Sequence, residues 1–127
     1  MSLSRARCKA IALLKRRADL EPHAFIDYYE TRHAPLILSL LPGIVEYRRN
    51  YADFTGAFAS PGAAPFDFDV VTELWFADRA AYDRAMAVAA RPDIAARIAG
   101  DEAHFLDREK TRMFLVEERT SARAAAA

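Results

Sequence analysis

Glu21–Gly43, EPHAFIDYYETRHAPLILSLLPG, decides how the rest of the chain is read. Pro22 suits the first turn of a helix, where its missing N–H would be unpaired anyway. Phe25, Tyr29 and His33 follow at four-residue steps, so one apolar stripe faces a core and ends in an imidazole. Pro35 cannot continue that helix regularly and biases Ala34 away from helical geometry, so a break is expected just after His33. Leu36–Leu41 follows, and Pro42-Gly43 reads as a turn. A titratable group that ends a buried stripe needs a partner, a water or a task. Two readings of His33 stand: a satisfied core histidine bonding a loop carbonyl, or a catalytic or ligand-orienting group at the mouth of a pocket.

On the N-terminal side, Cys8–Leu14 (CKAIALL) is short, apolar and closed by Lys15-Arg16-Arg17, which suits a buried strand. On the C-terminal side, Ile44–Phe54 alternates, with Val45, Tyr47, Arg49 and Tyr51 on one face. Thr55–Phe66 carries two glycines and two prolines and is expected to be a long loop, with the role of a lid open to it. Asp67–Phe76 (DFDVVTELWF) is the clearest strand, and both its faces carry large apolar groups. Asp78 is a credible N-cap for a helix to Ala90, Pro92 opens a second helical segment toward Leu106, and Lys110–Glu118 is the last strand. Strand, helix, strand, strand, helix, strand is a ferredoxin-like α+β plan, a four-stranded antiparallel sheet with helices on one face. The other face would be bare in a monomer. The two-sided character of Asp67–Phe76, with Tyr47 and Tyr51, predicts that a second copy covers it, giving a homodimer. Residues 8–119 are expected to form one domain, with 1–7 and 120–127 as flexible termini.

The 127 residues suffice for one two-layer core. Eighteen basic side chains balance eighteen acidic ones, so no global field draws the chain to nucleic acid or a membrane surface. The single cysteine, Cys8, leaves no internal disulfide and no cysteine-based zinc site. No segment has the length of a membrane span and no signal-peptide pattern opens the chain, so the cytoplasm is the default location. Nucleophilic triads, phosphate-cradling glycine loops and dinucleotide fingerprints are absent.

A second polar constellation is DEAHFLD, Asp101–Asp107. Ile94, Ile98, Asp101 and Phe105 share one helical stripe, so Asp101 either meets a cation or donor, or caps Gly100 where the chain re-enters a helix. In a two-layer fold His33 is within its reach. A carboxylate on one ring nitrogen fixes the tautomer and makes the other nitrogen a better base. His104 turns away toward the surface or a pocket rim. Tyr47, Tyr51 and Trp75 read first as core or interface and second as groups that orient an oxygen-bearing ligand. Arg49, on the face of Tyr47 and Tyr51, needs an anion from protein or ligand. Tyr29 and Phe105, on the two stripes, complete the candidate ligand contacts. A metal held by His33, His104 and Asp101 lacks dense ligand spacing, and none is expected.

Taken in order, KAIALLK, FIDYYETRHAPL, LPGIVEY, FDVVTELWF and DEAHFLD resemble the EthD family over residues 9–118. The H-A-P-L element and the pattern of Asp101, Phe105 and Asp107 are its most specific parts. The resemblance implies a ferredoxin-like domain assembling as a dimeric α/β barrel. It implies a link to oxidative ether breakdown beside a monooxygenase system, hence an oxygenase partner. Fungal relatives look like cofactor-free dehydratases of aromatic polyketides, and related barrels include muconolactone-type isomerases and cofactor-free monooxygenases. His33 and Asp101 carry over as the residues of the two elements, without a settled role. The leading expectation is acid/base chemistry, with no bound cofactor, on an apolar, oxygen-bearing small molecule. Its rival is a non-catalytic ligand-binding or accessory module.

Overall fold

The alternation of apolar residues in four stretches produces the sheet, and their spacing sets which side faces the helices. The computed structural model describes residues 7–124. Residues 1–6 of the expected leader and the last three alanines of the tail lie outside them. Strands β1 (Cys8–Leu14), β2 (Ile44–Tyr51), β3 (Val70–Phe76) and β4 (Arg112–Val116) pair antiparallel in the order β2-β3-β1-β4. Two helical crossovers connect them: α1 (Pro22–Tyr28) running into α2 (Ala34–Leu40), then α3 (Arg79–Ala89) with α4 (Pro92–Glu102). This is the ferredoxin-like βαββαβ plan expected from the sequence.

The core lies between sheet and helices. Ala10, Ala12 and Leu14 of β1 and Val70, Thr72, Leu74 and Phe76 of β3 point there and are buried. They pack with Phe25, Tyr29 and Ala34 from the first crossover and Ala81 and Ala85 from α3. Asp78 does cap α3, accepting from Ala81 N–H at 2.9 Å, which contributes about 1 kcal/mol. The opposite face carries Ile11, Leu13, Val71 and Trp75 half-buried and Phe114 exposed. Ion pairs interleave them, Lys9 with Glu73 at 3.1 Å and Arg7 with Glu46 at 3.3 Å.

Three details correct the sequence reading. The helix does not break at Pro35. Tyr29–His33 forms one π-helical turn in which Ala34 N–H reaches the Tyr29 carbonyl, and α2 continues with Pro35 in its first turn. The wider turn absorbs the missing N–H and the ring that would strike the preceding turn of a regular helix. In β2 the register shifts between Ile44 and Glu46, which leaves Val45 as a bulged, exposed residue. Ile44, Tyr47, Arg49 and Tyr51 therefore share the helix side, opposite Phe76, Leu74, Thr72 and Val70. Tyr47 and Tyr51 are not part of the bare face. Helix α4 ends at Glu102, short of Leu106, with Gly100 inside it, so Asp101 caps no break there. The long loop expected after β2 is present, and it stacks Phe54 on Phe66 at 4.5 Å, with Phe68 edge-on to both.

Candidate active site

The π-turn sets His33 and Tyr29 on the buried side of the first crossover, 3% and 1% exposed. Opposite them, the Ile98–Asp101 stripe of α4 presents a carboxylate. His33 Nδ1–H donates to Asp101 Oδ2 at 2.7 Å, and Tyr28 O–H donates to Asp101 Oδ1 at 2.7 Å. Both carboxylate oxygens are thus engaged, and the aspartate holds the imidazole in the tautomer that leaves Nε2 as acceptor. Nε2 makes no hydrogen bond among the described residues. Phe105 lies against the imidazole ring at 4.8 Å and Tyr29 meets it edge-on at 5.4 Å, which fixes its plane. Tyr28 is itself held between Phe105 at 5.2 Å and His104 at 5.7 Å. Burial, then the Asp101 carboxylate, pushes its phenol up to about 12, so it stays a donor at any physiological pH.

His33 borders a cavity of about 200 Å³ between sheet and helices. Its walls are mostly aliphatic, among them Leu14, Ile37, Leu41, Leu74 and Met113. Ala12 and Ala89, where larger side chains would fill the space, keep it open. The polar lining consists of Tyr29, Tyr47, Thr72, Thr111 and Glu102 besides His33. Tyr29 O–H lies 2.8 Å from Thr72 Oγ1 and 3.0 Å from Tyr47 O–H, a chain of three hydroxyls on the cavity wall. Burial pushes the Tyr47 phenol far above its ordinary value, and that of Tyr29 upward too, so both are neutral donors. An apolar space with a few convergent polar groups and one acceptor nitrogen suits a small organic molecule and proton transfer.

The other expected contacts fall elsewhere. Arg49 forms a two-pronged pair with Glu30 at 2.7 and 2.9 Å, and Tyr51 O–H donates to the same carboxylate at 2.5 Å. Arg49's anion is therefore protein, not ligand, and neither Arg49 nor Tyr51 borders the cavity. Trp75 sits on the outer face with Lys9 4.7 Å above its ring. His104 is exposed and stacks on Tyr28, and Phe105 supports His33 from behind without reaching the cavity. Among the described residues no group of three or more His, Cys, Asp or Glu side chains could hold a metal ion. Tyr28, Thr72, Glu102 and Thr111 escaped the sequence reading. The Tyr28-Tyr29 pair was the available signal, since adjacent helical tyrosines point about 100° apart and one must face a different neighbour.

Comparisons agree with this architecture. The family model for the EthD domain matches residues 17–109, well over half of the chain. No curated protein matches it. An EthD family protein from Bacillus halodurans superposes with a TM-score of 0.60 at 23% identity, covering 90% of this chain and 100% of that one. A DABB family protein with a ferredoxin-like fold from Mesorhizobium loti gives 0.56 at 18%, covering 90% and 98%. SnoaB, a cofactor-independent oxygenase from Streptomyces nogalater, gives 0.53 at 16%, covering 91% and 95%. At these identities the structural likenesses establish the fold. With the family model matched across both the H-A-P-L element and the Asp101 element, the chain belongs to the EthD family.

Proposed function

We propose that this protein binds an apolar, oxygen-bearing small molecule in the cavity and moves a proton on it, with His33 Nε2 as general base and then acid. The observation that carries the reading is the Tyr28–Asp101–His33 relay: a buried imidazole, oriented at Nδ1 by a fully engaged carboxylate, at the edge of an apolar space. The proton leaves a C–H or O–H beside a carbonyl, rests on Nε2, and returns to the molecule or its leaving group. Developing negative charge on the substrate oxygen meets the Thr72–Tyr29–Tyr47 hydroxyls. No step calls on a bound cofactor. A positioned base of this kind contributes about 10²–10⁴-fold.

Deuterium exchange into enolisable aryl ketones, followed by NMR, tests this. The wild-type protein is expected to accelerate exchange, with His33→Gln reducing the rate by about 10²-fold or more while the melting temperature stays within a few degrees. Equal exchange by both proteins overturns it and leaves the non-catalytic ligand-binding reading. An oxygen electrode run in parallel separates proton transfer from cofactor-independent oxygenation, the chemistry named for the SnoaB fold relative.

The bare sheet face supports a homodimer, with the half-buried Ile11, Leu13, Val71 and Trp75 and the exposed Phe114 packed against a second copy. Mass-resolved chromatography should give about twice 14.2 kDa, and Trp75→Glu should return it to the monomer mass. A wild-type monomer at micromolar concentration overturns the pairing. No helix among the described residues is long and apolar enough to cross a membrane, and the one cysteine needs no oxidising compartment, which supports the cytoplasm as the place of action.

A further inference from the structure

Two consecutive carboxylates on α4 go to different places. Asp101 and Glu102 leave the helix about 100° apart. Asp101 turns to Tyr28 and His33. Glu102 follows Ile98 by four residues and shares its stripe, and both border the cavity. Among the described residues around that space, which include no lysine or arginine, Glu102 is the single carboxylate.

Its protein partner engages only half of that carboxylate. Arg108, in the short helical turn ahead of β4, donates from Nε to Glu102 Oε1 at 3.0 Å. The Arg108 side chain is half exposed and that of Glu102 mostly covered, so the pair stands where the cavity meets solvent. Oε2 has no hydrogen bond among the described residues, and it is not sealed in the way that Thr111 Oγ1 is, so it keeps accessible surface. A carboxylate offers about four lone-pair sites, and one single-pronged contact leaves most of them unused. Because the surrounding wall is chiefly aliphatic, a donor brought in by a bound molecule meets this anion with little screening. Hydrogen bonds to an ionised acceptor are roughly twice as strong as neutral ones. An analogue with a methyl group in place of the donor would strip water from the carboxylate and return nothing.

We propose that Glu102 is a specificity-determining residue of the cavity, its Oε2 accepting from a hydrogen-bond donor, a hydroxyl or an ammonium, carried by the bound molecule. The ligand class is an apolar body that bears such a donor. Asp101 and Glu102 are two carboxylates against the one guanidinium of Arg108, so a cationic donor is admitted as well as a neutral one. The inference rests on reading the cavity as a ligand site, and it holds whether or not His33 transfers a proton.

Calorimetric titration with two matched pairs of aryl ketones tests it. One pair is p-hydroxyacetophenone and p-methylacetophenone; the other is p-(aminomethyl)acetophenone, an ammonium at pH 7, and p-ethylacetophenone. Within each pair the shape is kept and the donor alone differs. The readout is the affinity ratio of donor to hydrocarbon probe, because the cost of desolvating the donor cancels when that ratio is compared between variants. Glu102→Leu should lower both ratios about tenfold or more. Glu102→Gln keeps the shape and a neutral acceptor, so it should lower the ammonium ratio about tenfold and the hydroxyl ratio less, and it carries the test should Glu102→Leu fail to fold. Ratios that the folded variants leave unchanged overturn the proposal, as does failure of both donor probes to bind the wild-type protein at millimolar concentration. Calorimetry reads occupancy and deuterium exchange reads proton transfer. A ratio that depends on Glu102 without exchange therefore sinks the catalytic reading alone, and exchange with ratios indifferent to Glu102 sinks this one alone.

Discussion

Two polar clusters hang from the same π-helical turn, three residues apart, and they differ in one respect. On one side Glu30 receives Arg49 twice and Tyr51 once, and Arg49 also donates to the Tyr47 carbonyl at 3.0 Å. On the other side His33 engages Asp101 through Nδ1 and leaves Nε2 at the cavity wall without a partner among the described residues. The first cluster is closed: both carboxylate oxygens have donors, and the guanidinium is fixed. The second is closed at every atom but one. A saturated network rigidifies the fold, whereas a network with a single atom left over holds that atom in place for something else. Changes at Glu30 should therefore register in stability and changes behind His33 in rate.

Among the groups behind His33, the largest effect is expected from Asp101→Asn. The amide can turn its NH₂ toward Nδ1, which forces the ring proton onto Nε2 and converts the acceptor into a donor. Exchange of an aryl ketone should fall about 10²-fold, whereas the affinity for that ketone should change much less. Retention of full activity would mean that the tautomer is set by something other than Asp101, and the relay would lose its meaning.

Glu30→Gln tests the closed cluster. The Arg49 hydrogen bonds, foremost, hold the Glu30 carboxyl below its ordinary 4.5. Since the native state resists protonation there, the contribution to stability is complete above pH 4.5 and is lost as pH falls through the lower native value. The variant should lose about 1.5 kcal/mol at pH 7, a value reduced by the solvent that reaches Glu30, and the gap from wild type should close under acid. Exchange rates should stay within a few-fold. A rate loss as large as that of Asp101→Asn would erase the distinction between the clusters.

The sequence made the fold legible because periodicity reports which side of a strand or helix is buried, and β3, with large apolar groups on both faces, reported a two-sided sheet. It brought His33 and Asp101 together for the same reason: each lies on the buried stripe of its segment, and the topology sets the two stripes side by side. The misplacements have local causes. A single bulged residue, Val45, reverses the facing of everything before it in β2, and nothing in Ile44–Tyr51 announces the shift. The π-turn lets a helix pass a proline that spacing rules read as a stop. Arg49 needs an anion, but Glu30, on the turn across from it, is matched to it only once β2 has folded against that turn. Thr111 lies in a connecting stretch with no periodicity, so only its missing partner marks it out.

The smallest effect, and the sharpest probe of where the relay ends, is Tyr28→Phe. The substitution removes the donor to Asp101 Oδ1 and leaves the His33 bond to Oδ2 intact. Because the tautomer survives, the exchange rate should fall less than tenfold, against about 10²-fold for Asp101→Asn. Stability should drop by about 0.5–1 kcal/mol at neutral pH, the worth of one hydrogen bond to a charged acceptor in a partly wetted position. The sign at high pH follows from the raised phenol. From pH 10 upward the unfolded tyrosine ionises while the folded one, held up to about 12 by burial and by Asp101, does not. Wild-type stability therefore declines between pH 10 and 12, and its margin over Tyr28→Phe should vanish there. If denaturant titrations instead show a margin that is constant from pH 7 to 12, Tyr28 contributes packing alone. Asp101 would then orient His33 without help from α1.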